Sequence, residues 1–337
     1  MSNTKFIIKR LKTMNYGAML EKINEISKKT GKSKLWVLSD MVSCARKHGA
    51  GYMDYDLYDM YELTEEQRKT YMTRARSNEI YKKYNDLSRV EYFDDKTIFN
   101  DLFKDYIKRD WIAVSDPKDK VLDFISRHEK FFAKPSDATG GFGIELINRT
   151  DYESNEALYD YLLGLEESGK YGSFELEEPV IQSPEISAIY PHSINTVRIV
   201  TLLKDKVEPH VICAYFRIGN KGNVVDNFHS DGMTTPVDVE TGTVLFPALD
   251  KKKNLYESHP MTGHQIKGFT FSEWPEAIDM VKKAALVVPD VGYVGWDVAF
   301  SDKGPLLIEG NPFPGHDLYQ LKEHTPDRIG MMPKFDI

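Results

Sequence analysis

The strongest constraint on the fold comes from two apolar runs near the C-terminal end, on either side of Ser301-Asp-Lys-Gly304. These four residues have the composition of a tight turn, so the segment predicts an antiparallel β-hairpin. Pairing across this turn brings Asp297 opposite Glu309. Asn311 lies two residues beyond Glu309 and therefore points to the same face of its strand.

The three side chains of this hairpin predict a metal site. Carboxylate and amide oxygens are the ligands that hard cations such as Mg²⁺ prefer, and two facing carboxylates repel each other unless a cation lies between them. The alternative is a solvated pair on an exposed sheet face. The apolar neighbours Trp296 and Phe300 disfavour it. We therefore predict Asp297, Glu309 and Asn311 as metal ligands.

A glycine-rich loop lies between two apolar runs in residues 131–147. Glycine lets the backbone approach a ligand closely, and successive backbone N–H groups can hold phosphate oxygens. No Gly-Lys-Ser/Thr sequence follows, so the segment is not a Walker loop. Two interpretations stay open, a phosphate-binding loop and a flexible hairpin. The residues of the first interpretation are Lys134, Ser136, Gly140, Gly141 and Gly143.

The pattern of apolar residues changes along the chain. Residues 5–85 predict helices, with apolar positions at helical spacing and a capping box at 64–67. From about residue 90, short β-type runs alternate with helical segments, which predicts an α+β fold. We expect a helical region at 1–90 and two further domains at 91–175 and 176–337. The apolar positions at helical spacing are Met19, Ile23 and Ile26, and then Leu35, Leu38, Met41 and Val42.

Individual elements of the α+β part follow from the same patterns. The segment 238–242 predicts a hairpin turn, and 272–288 predicts a helix with Ser272 as its cap. The predicted strands are 111–114, 130–134, 143–147, 177–182, 196–203, 208–217, 291–300 and 305–309.

Composition limits the function. The chain has 44 basic and 52 acidic residues, a net charge of −8, which disfavours general nucleic-acid binding. Its two cysteines lack metal-type spacing and indicate a reducing compartment such as the cytoplasm. No run approaches the ~18 apolar residues of a membrane span. The basic residues 1–15 could touch a membrane surface, although a solvated helix face is the simpler interpretation.

Together, the lysine–glycine loop and the later Asp…Glu-x-Asn set resemble the ATP-grasp superfamily. More narrowly, the chain resembles the sugar-transfer-associated ATP-grasp family of exopolysaccharide biosynthesis. This resemblance implies two α+β lobes that clamp ATP, preceded here by the helical region. The segments that carry it are 48–55 (HGAGYMDY), 95–96 (DK), 193–198 (SINTVR), 226–232 (DNFHSDG) and 237–242 (VDVETG).

The resemblance also implies roles for individual residues. Lys96 and Lys134 would reach the nucleotide phosphates, and Gly140, Gly141 and Gly143 would close over them. A hinge at 178–182, from Glu178 through Val180 and Ile181, would contact adenine, and Glu185 would contact the ribose. Arg198 and Arg217 would neutralise charge on the transferred phosphoryl group. From the residues alone, these arginines could instead pair with carboxylates on the sheet.

The resemblance implies an ATP- and Mg²⁺-dependent ligase, with Mn²⁺ as a possible substitute. A carboxylate and an amine or sugar acceptor would be joined through an acyl-phosphate, releasing ADP and phosphate. Two alternatives stay open, a small-molecule kinase and a nucleotide-binding protein without turnover. The complete set of Lys134, Asp297, Glu309 and Asn311 argues against the latter.

Overall fold

A computed structural model describes residues 14–136, 143–169 and 172–336. The chain forms two compact units, one made of Met1–Ile80 with Gly315–Ile337 and the other of Tyr81–Pro314. Gly140 and Gly141 lie outside the described residues. The division into three domains at 90 and 175 stays a prediction. Within the described ranges, every helix is too short or too polar to cross a lipid bilayer.

The first unit is helical, as predicted. The break between its first two helices follows from local sequence, because Gly31 adopts a left-handed φ of 71° and Ser33 caps the next helix through Trp36 N. The capping box at Thr64 and Gln67 is confirmed. The helices of this region are α1 Tyr16–Thr30, α2 Lys34–His48, α3 Tyr52–Leu57, α4 Glu65–Thr70 and α5 Arg74–Tyr84, the last of which continues into the second unit.

The apolar positions of α2 coincide with its core face only in part. Met41 is buried, but Leu35, Leu38 and Val42 are exposed. The inner face instead carries Val37, Met41, Cys44 and His48, which recur at helical spacing. His48 tolerates burial because its Nε2 bonds Glu65 at 2.6 Å. A search for apolar residues at helical spacing overlooks this face, because one of its buried residues, His48, is polar.

The second unit begins with short helices and a small antiparallel sheet in the order β1-β4-β2-β3. Apolar side chains of two helices pack on this sheet and form its core, among them Val121, Phe124 and Leu158. The helices are α6 Glu91–Asp94, α7 Lys96–Leu102, α8 Lys104–Ile107, α9 Lys118–Arg127 and α10 Asn155–Glu167. The strands are β1 Trp111–Ala113, β2 Lys130–Pro135, β3 Glu145–Asn148 and β4 Phe174–Glu177.

The strand predicted at 177–182 is displaced. β4 ends at Glu177, and beyond it only Gln182 makes a bridge, to Ser301. Pro179 explains the early end, because proline has no N–H to donate to a neighbouring strand. The segment after β4 is therefore an irregular connection between the two sheets.

A larger sheet follows, in the order β11-β10-β5-β6-β7-β8-β9, with every pair antiparallel. Helix α12 packs on it through Trp274, Ala277 and Val281, which join its buried core. The strands are β5 Thr196–Leu203, β6 Pro209–Ile218, β7 Met233–Val237, β8 Ala248–Asp250, β9 Leu255–Tyr256, β10 Tyr293–Ser301 and β11 Gly304–Asn311. The helices are α11 Pro184–Ile189 and α12 Trp274–Ala284.

The turn predicted at 238–242 is confirmed, with Val237 bridging Val244 across it. Gly242 has a φ of 70°, and its N–H donates to Asp238 O at 2.9 Å. A Cβ on Gly242 would lie 2.4 Å from Trp274 Cγ. This glycine therefore meets two requirements, a left-handed backbone and close contact with the core helix α12.

We expect Gly242→Ala to lower the free energy of unfolding by about 2–3 kcal/mol, because backbone strain and the overlap with Trp274 add. Gly263→Ala is the matched control, since Gly263 has a φ of 73° with nothing within 4 Å of the added methyl. Urea unfolding of both variants measures the difference. Equal losses would show that the Trp274 contact contributes nothing.

Candidate active site

The β10–β11 hairpin places Asp297 directly opposite Glu309, so the predicted pair is confirmed. A β-bulge next to Asp297 sets this register, because Val298 pairs with Leu307 and an uninterrupted ladder would pair Asp297 with Ile308. Asp297 is buried, whereas half of the Glu309 side chain, 51%, is exposed.

Two arginines from neighbouring strands bind Asp297. Arg198 lies opposite it on β5 and donates through Nη2 to Oδ2 at 2.8 Å and through Nε to Oδ1. Arg217 on β6 also contacts Oδ2, and its other terminal nitrogen donates to Asp226 Oδ1 at 3.0 Å. Burial acts to raise the pKa of Asp297, but the charges of Arg198 and Arg217 outweigh it and hold that pKa well below its usual range.

Glu309 has the opposite shift. Desolvation and the negative charge of Asp297 raise the pKa of Glu309 above its usual range, even though part of its side chain is accessible. Arg198 Nη2 is 3.7 Å from Glu309 Oε1, longer than its contacts with Asp297. Asn311 Nδ2 donates to Glu309 Oε1 at 3.0 Å. The outer side of the acidic pair is therefore short of positive charge.

The residues fit a hard cation in their chemistry. Asp297, Glu309 and Asn311 offer oxygen donors, and the accessible Glu309 carboxylate carries the unfavourable negative charge that a cation would offset. Among the described residues, no group of three or more His, Cys, Asp or Glu has metal-binding geometry. The predicted metal site therefore has two carboxylates, and its third donor is the amide oxygen of Asn311. The metal role of the three residues stays a prediction.

Of the two predicted phosphate lysines, Lys134 lies near the end of β2 and the side chain of Lys96 reaches that end from α7. Lys134 pairs with Glu175 in register, and its Nζ contacts Glu177 Oε2. Lys96 opens α7, and its Nζ donates to Pro135 O at 2.8 Å and to Ser136 O at 3.2 Å.

The charges around Lys96 connect these lysines to the acidic pair. Burial lowers the pKa of Lys96, and the charge of Lys134 acts in the same direction. The carboxylates of Glu175 and Glu309 oppose this shift. Because Lys96 is affected both by Lys134 and by Glu309, the lysines and the acidic pair share one electrostatic environment.

A buried network behind Lys134 has no counterpart in the sequence prediction. Arg109 donates to both carboxylate oxygens of Glu177, from Nε at 3.0 Å and from Nη2 at 3.1 Å. Its Nη1 donates to Leu307 O on β11 at 2.6 Å. Asn100 Nδ2 donates to Glu175 Oε2 at 2.9 Å. The alternation Glu-Leu-Glu in β4 was the only available signal, and it resembles a half-exposed strand more than a buried one.

The two buried glutamates of β4 are shifted in opposite directions. Burial opposes ionisation of both. The charges of Arg109 and Lys134 outweigh it at Glu177 and lower its pKa. At Glu175 burial prevails, and repulsion from Glu177 adds to it, so that its pKa is raised. Glu177 therefore carries the negative charge that faces Lys134.

The predicted nucleotide hinge lies beside the tip of the β10–β11 hairpin. Glu178 N donates to Asp110 O at 2.9 Å, and Lys303 Nζ donates to Glu178 Oε1 at 2.9 Å. Val180 and Ile181 line a small surface pocket together with residues of that hairpin.

Two further predicted residues have local partners. Glu185 Oε1 accepts a bond from Ser272 Oγ at 3.1 Å. The prediction of Ser272 as the cap of α12 is wrong, because this helix begins at Trp274. The residue at the cap position is Glu273. Ser136 lies 3.4 Å from the Thr97 hydroxyl, and Gly143 has a φ of 75°. The nucleotide-binding roles of these residues stay predictions.

Comparison with solved structures gives distant similarities to ligases and synthetases. They include the ATP-grasp ligase PsnB with its minimal precursor (15% identity, TM-score 0.40, 69% of this chain and 56% of that one). The ADP complex of purK, an N5-carboxyaminoimidazole ribonucleotide synthetase, is 11% identical with a TM-score of 0.43, and the match covers 72% of this chain and 52% of that one. The D-alanine-D-alanine ligase of Coxiella burnetii is 9% identical with a TM-score of 0.42, and the match covers 73% of this chain and 55% of that one. The chain thus spans about half of the length of these structures.

No curated protein sequence gives a significant match. A family model does match, over residues 75–326, and its description is sugar-transfer associated ATP-grasp. The match covers most of the chain, including both sheets and the acidic hairpin. The α+β architecture with a preceding helical region agrees with this assignment. The chain therefore belongs to the sugar-transfer-associated ATP-grasp family, and its fold is an ATP-grasp fold.

Proposed function

We propose that this protein is an ATP- and Mg²⁺-dependent ligase that joins a carboxylate to an amine or a similar nucleophile. The observation that carries the proposal is the acidic pair of β10 and β11, which shares its surroundings with Arg198 and Lys96. Paired cationic and acidic groups of this kind suit the transfer of a highly charged phosphoryl group.

The reaction has two steps. A carboxylate oxygen attacks the γ-phosphorus of ATP, and the bond between this phosphorus and the bridging oxygen breaks. The products of the first step are an acyl-phosphate and ADP. The nitrogen of the amine then attacks the carbonyl carbon, the bond to the phosphate oxygen breaks, and phosphate leaves as the nitrogen loses a proton. A divalent ion, Mg²⁺ or Mn²⁺, held by Asp297, Glu309 and Asn311 would neutralise charge on the phosphate oxygens.

The chain's own groups bind and orient the reactants. Lys96 and Lys134 bind phosphate oxygens, for which Lys134 exchanges its contact with Glu177. Arg198 and Arg217 keep Asp297 ionised and add positive charge near the transferred group. Gly140, Gly141 and Gly143 close over the phosphates, which keeps water from the acyl-phosphate. The segment 178–182 contacts adenine and Glu185 the ribose.

The acceptor is an amine-bearing sugar or sugar precursor. The description of the family associates it with sugar transfer, and a ligase in that setting would attach an acyl group, such as an amino acid, to a glycan. We therefore place the reaction in the biosynthesis of exopolysaccharides or related glycans.

The products distinguish this ligase from a kinase. We expect the full chain, with ATP and MgCl₂, to release ADP and phosphate in equal amounts only when a carboxylate and an amine are both present. Amino acids paired with amino-sugar nucleotides are the first combinations to test, with coupled ADP and phosphate assays and mass spectrometry of the product. ADP release without phosphate, together with a stable phosphorylated acceptor, would identify a kinase and contradict the proposal.

A further inference from the structure

Helix α2 carries a second apolar stripe on the side opposite its core face. Leu35, Leu38 and Val42 share this side at helical spacing, with 79%, 36% and 48% of their surfaces exposed. The core side is formed by Val37 and Met41, which are buried. A helix that is apolar on both sides has a second surface, and no part of the chain that the structure describes covers it here. We call Leu35, Leu38 and Val42 the outer stripe.

Exposed basic residues flank the outer stripe along the chain, before and after it. Lys28, Lys34 and Arg46 are exposed, and within the described ranges none of them has a carboxylate partner. Lys32 Nζ lies 3.5 Å from the ring centroid of Trp36, whose own surface is 40% exposed. We call Lys28, Lys32, Lys34 and Arg46 the basic rim.

The charge of this region differs in sign from that of the chain as a whole. Residues 16–48, which include α1 and α2, contain seven Lys or Arg and three Asp or Glu, whereas the whole chain has a net charge of −8. A local positive field on an acidic protein selects for an anionic surface. It also disfavours a second copy of this chain as the partner, because two basic rims would then face each other.

We propose that the outer stripe and basic rim bind the surface of an anionic lipid bilayer. Lysines at headgroup level gain energy from negative lipids, and exposed Leu, Val and Trp side chains insert at the boundary with the acyl chains. Leu35 suits this role because most of its surface projects from the helix. The combination provides the two signals, apolar and electrostatic, that stable but reversible membrane attachment requires.

Tryptophan fluorescence of the full chain provides a site-specific test. Of the four tryptophans, Trp274 and Trp296 are buried, at 2% and 0% exposure, and Trp111 is partly buried in β1. A shift that Trp36→Phe removes therefore reports on Trp36. We expect a blue shift and co-sedimentation with phosphatidylcholine vesicles that contain 30 mol% phosphatidylglycerol, and neither with pure phosphatidylcholine. Trp36→Phe is expected to remove the shift and to retain most of the co-sedimentation.

Charge-reversal variants locate the surface. The triple variant Lys28→Glu, Lys32→Glu, Lys34→Glu is expected to bind the anionic vesicles about 100-fold more weakly. The matched control Lys82→Glu, Lys252→Glu, Lys282→Glu alters three exposed lysines elsewhere by the same total charge and should bind as the wild type does. The pair Leu35→Ser, Val42→Ser should weaken binding about 10-fold and leave the melting temperature unchanged.

Three outcomes would overturn the proposal. The first is no excess binding to the anionic vesicles, and the second is equal loss in the test and control triple variants. The third is binding to soluble polyglutamate without vesicle binding, which would assign the surface to an acidic protein. Each outcome is independent of ADP formation, because the lipid assays contain no nucleotide.

Discussion

Replacing Glu309 with Gln is expected to lower Mg²⁺-dependent ADP formation by about 1,000-fold. The substitution keeps the size of the side chain and removes the negative charge that would face the divalent ion. Because half of the Glu309 side chain is exposed, the folded structure should tolerate the change. Initial rates of ADP release across a range of Mg²⁺ concentrations measure the effect.

Asp297→Asn is expected to lower the rate as strongly, with a second consequence. Asp297 is the shared partner of Arg198 and Arg217, so a neutral amide leaves two buried guanidinium groups without their counter-charge. This variant should therefore also lose stability. The comparison makes Glu309→Gln the cleaner test of metal binding, and thermal unfolding of both variants separates the two effects.

The matched control is Asp302→Asn, an exposed acidic residue at the tip of the same hairpin. It removes one negative charge from the hairpin without touching the acidic pair, and its rate should match the wild type. Unchanged rates in both Glu309→Gln and Asp297→Asn would refute the metal assignment. A loss of rate that is equal with and without Mg²⁺ would assign the pair a role in binding substrate instead.

The acidic hairpin shows what the sequence could and could not predict. Two apolar runs around a turn were sufficient for the strands and their antiparallel pairing. The pairing of Asp297 with Glu309 depends on a bulge that leaves Ile308 out of the regular ladder, and no residue of the segment marks a bulge. Pairing across the turn was predicted to bring Asp297 opposite Glu309, but an unbroken ladder from Ser301 and Gly304 would have put Glu309 on the other face. The predicted pair is therefore correct only because of the bulge.

The arginines illustrate a different limit. The sequence left open whether Arg198 and Arg217 serve a phosphoryl group or pair with carboxylates, and the structure shows that both bond Asp297. This contact joins residues 99 and 80 positions apart, which no local pattern reveals. Pairing with Asp297 is compatible with the proposed role in phosphoryl transfer, because positive charge stays beside the acidic pair.

Errors in the prediction arose where local pattern and tertiary packing disagree. β4 is buried along its whole length although it contains Glu175 and Glu177, because Arg109, Asn100 and Lys134 supply partners from distant parts of the chain. Acidic residues in a buried strand are misread until such partners are known. Because Glu175 and Glu177 are acidic, the strand was predicted too late in the chain, over the apolar residues Val180 and Ile181.

We expect Arg109→Met to lower the free energy of unfolding by about 3–5 kcal/mol at pH 7, the usual cost of breaking a buried ion pair. Methionine keeps most of the volume but leaves the buried Glu177 carboxylate without its bidentate partner. The carbonyl oxygen of Leu307 on β11 also loses its donor, and Arg109 no longer links it to Glu177 on β4. Urea unfolding at pH 7 measures the loss.

The pH dependence of the same variant tests the cause. The pKa of Glu177 is lowered in the folded protein, partly by Arg109, so its ion pairs stabilise the fold above the ordinary glutamate pKa of about 4.3. This contribution is lost as the pH falls below that value towards the lowered pKa. The stability difference between wild type and Arg109→Met should therefore narrow in acid, and a difference that is constant with pH would assign the effect to packing.

Arg127→Ala provides the contrast that makes the Arg109 result interpretable. Arg127 also pairs with two carboxylates, Asp110 and Asp123, but half of its side chain, 51%, is exposed. Solvent screens such pairs, so we expect the free energy of unfolding to fall by less than about 1 kcal/mol.

The double variant Arg109→Met, Glu177→Gln removes the buried charge together with its partner. It should recover part of the stability that Arg109→Met loses. If the double variant is no more stable than Arg109→Met, the main contribution of Arg109 is its bond to Leu307 O on β11.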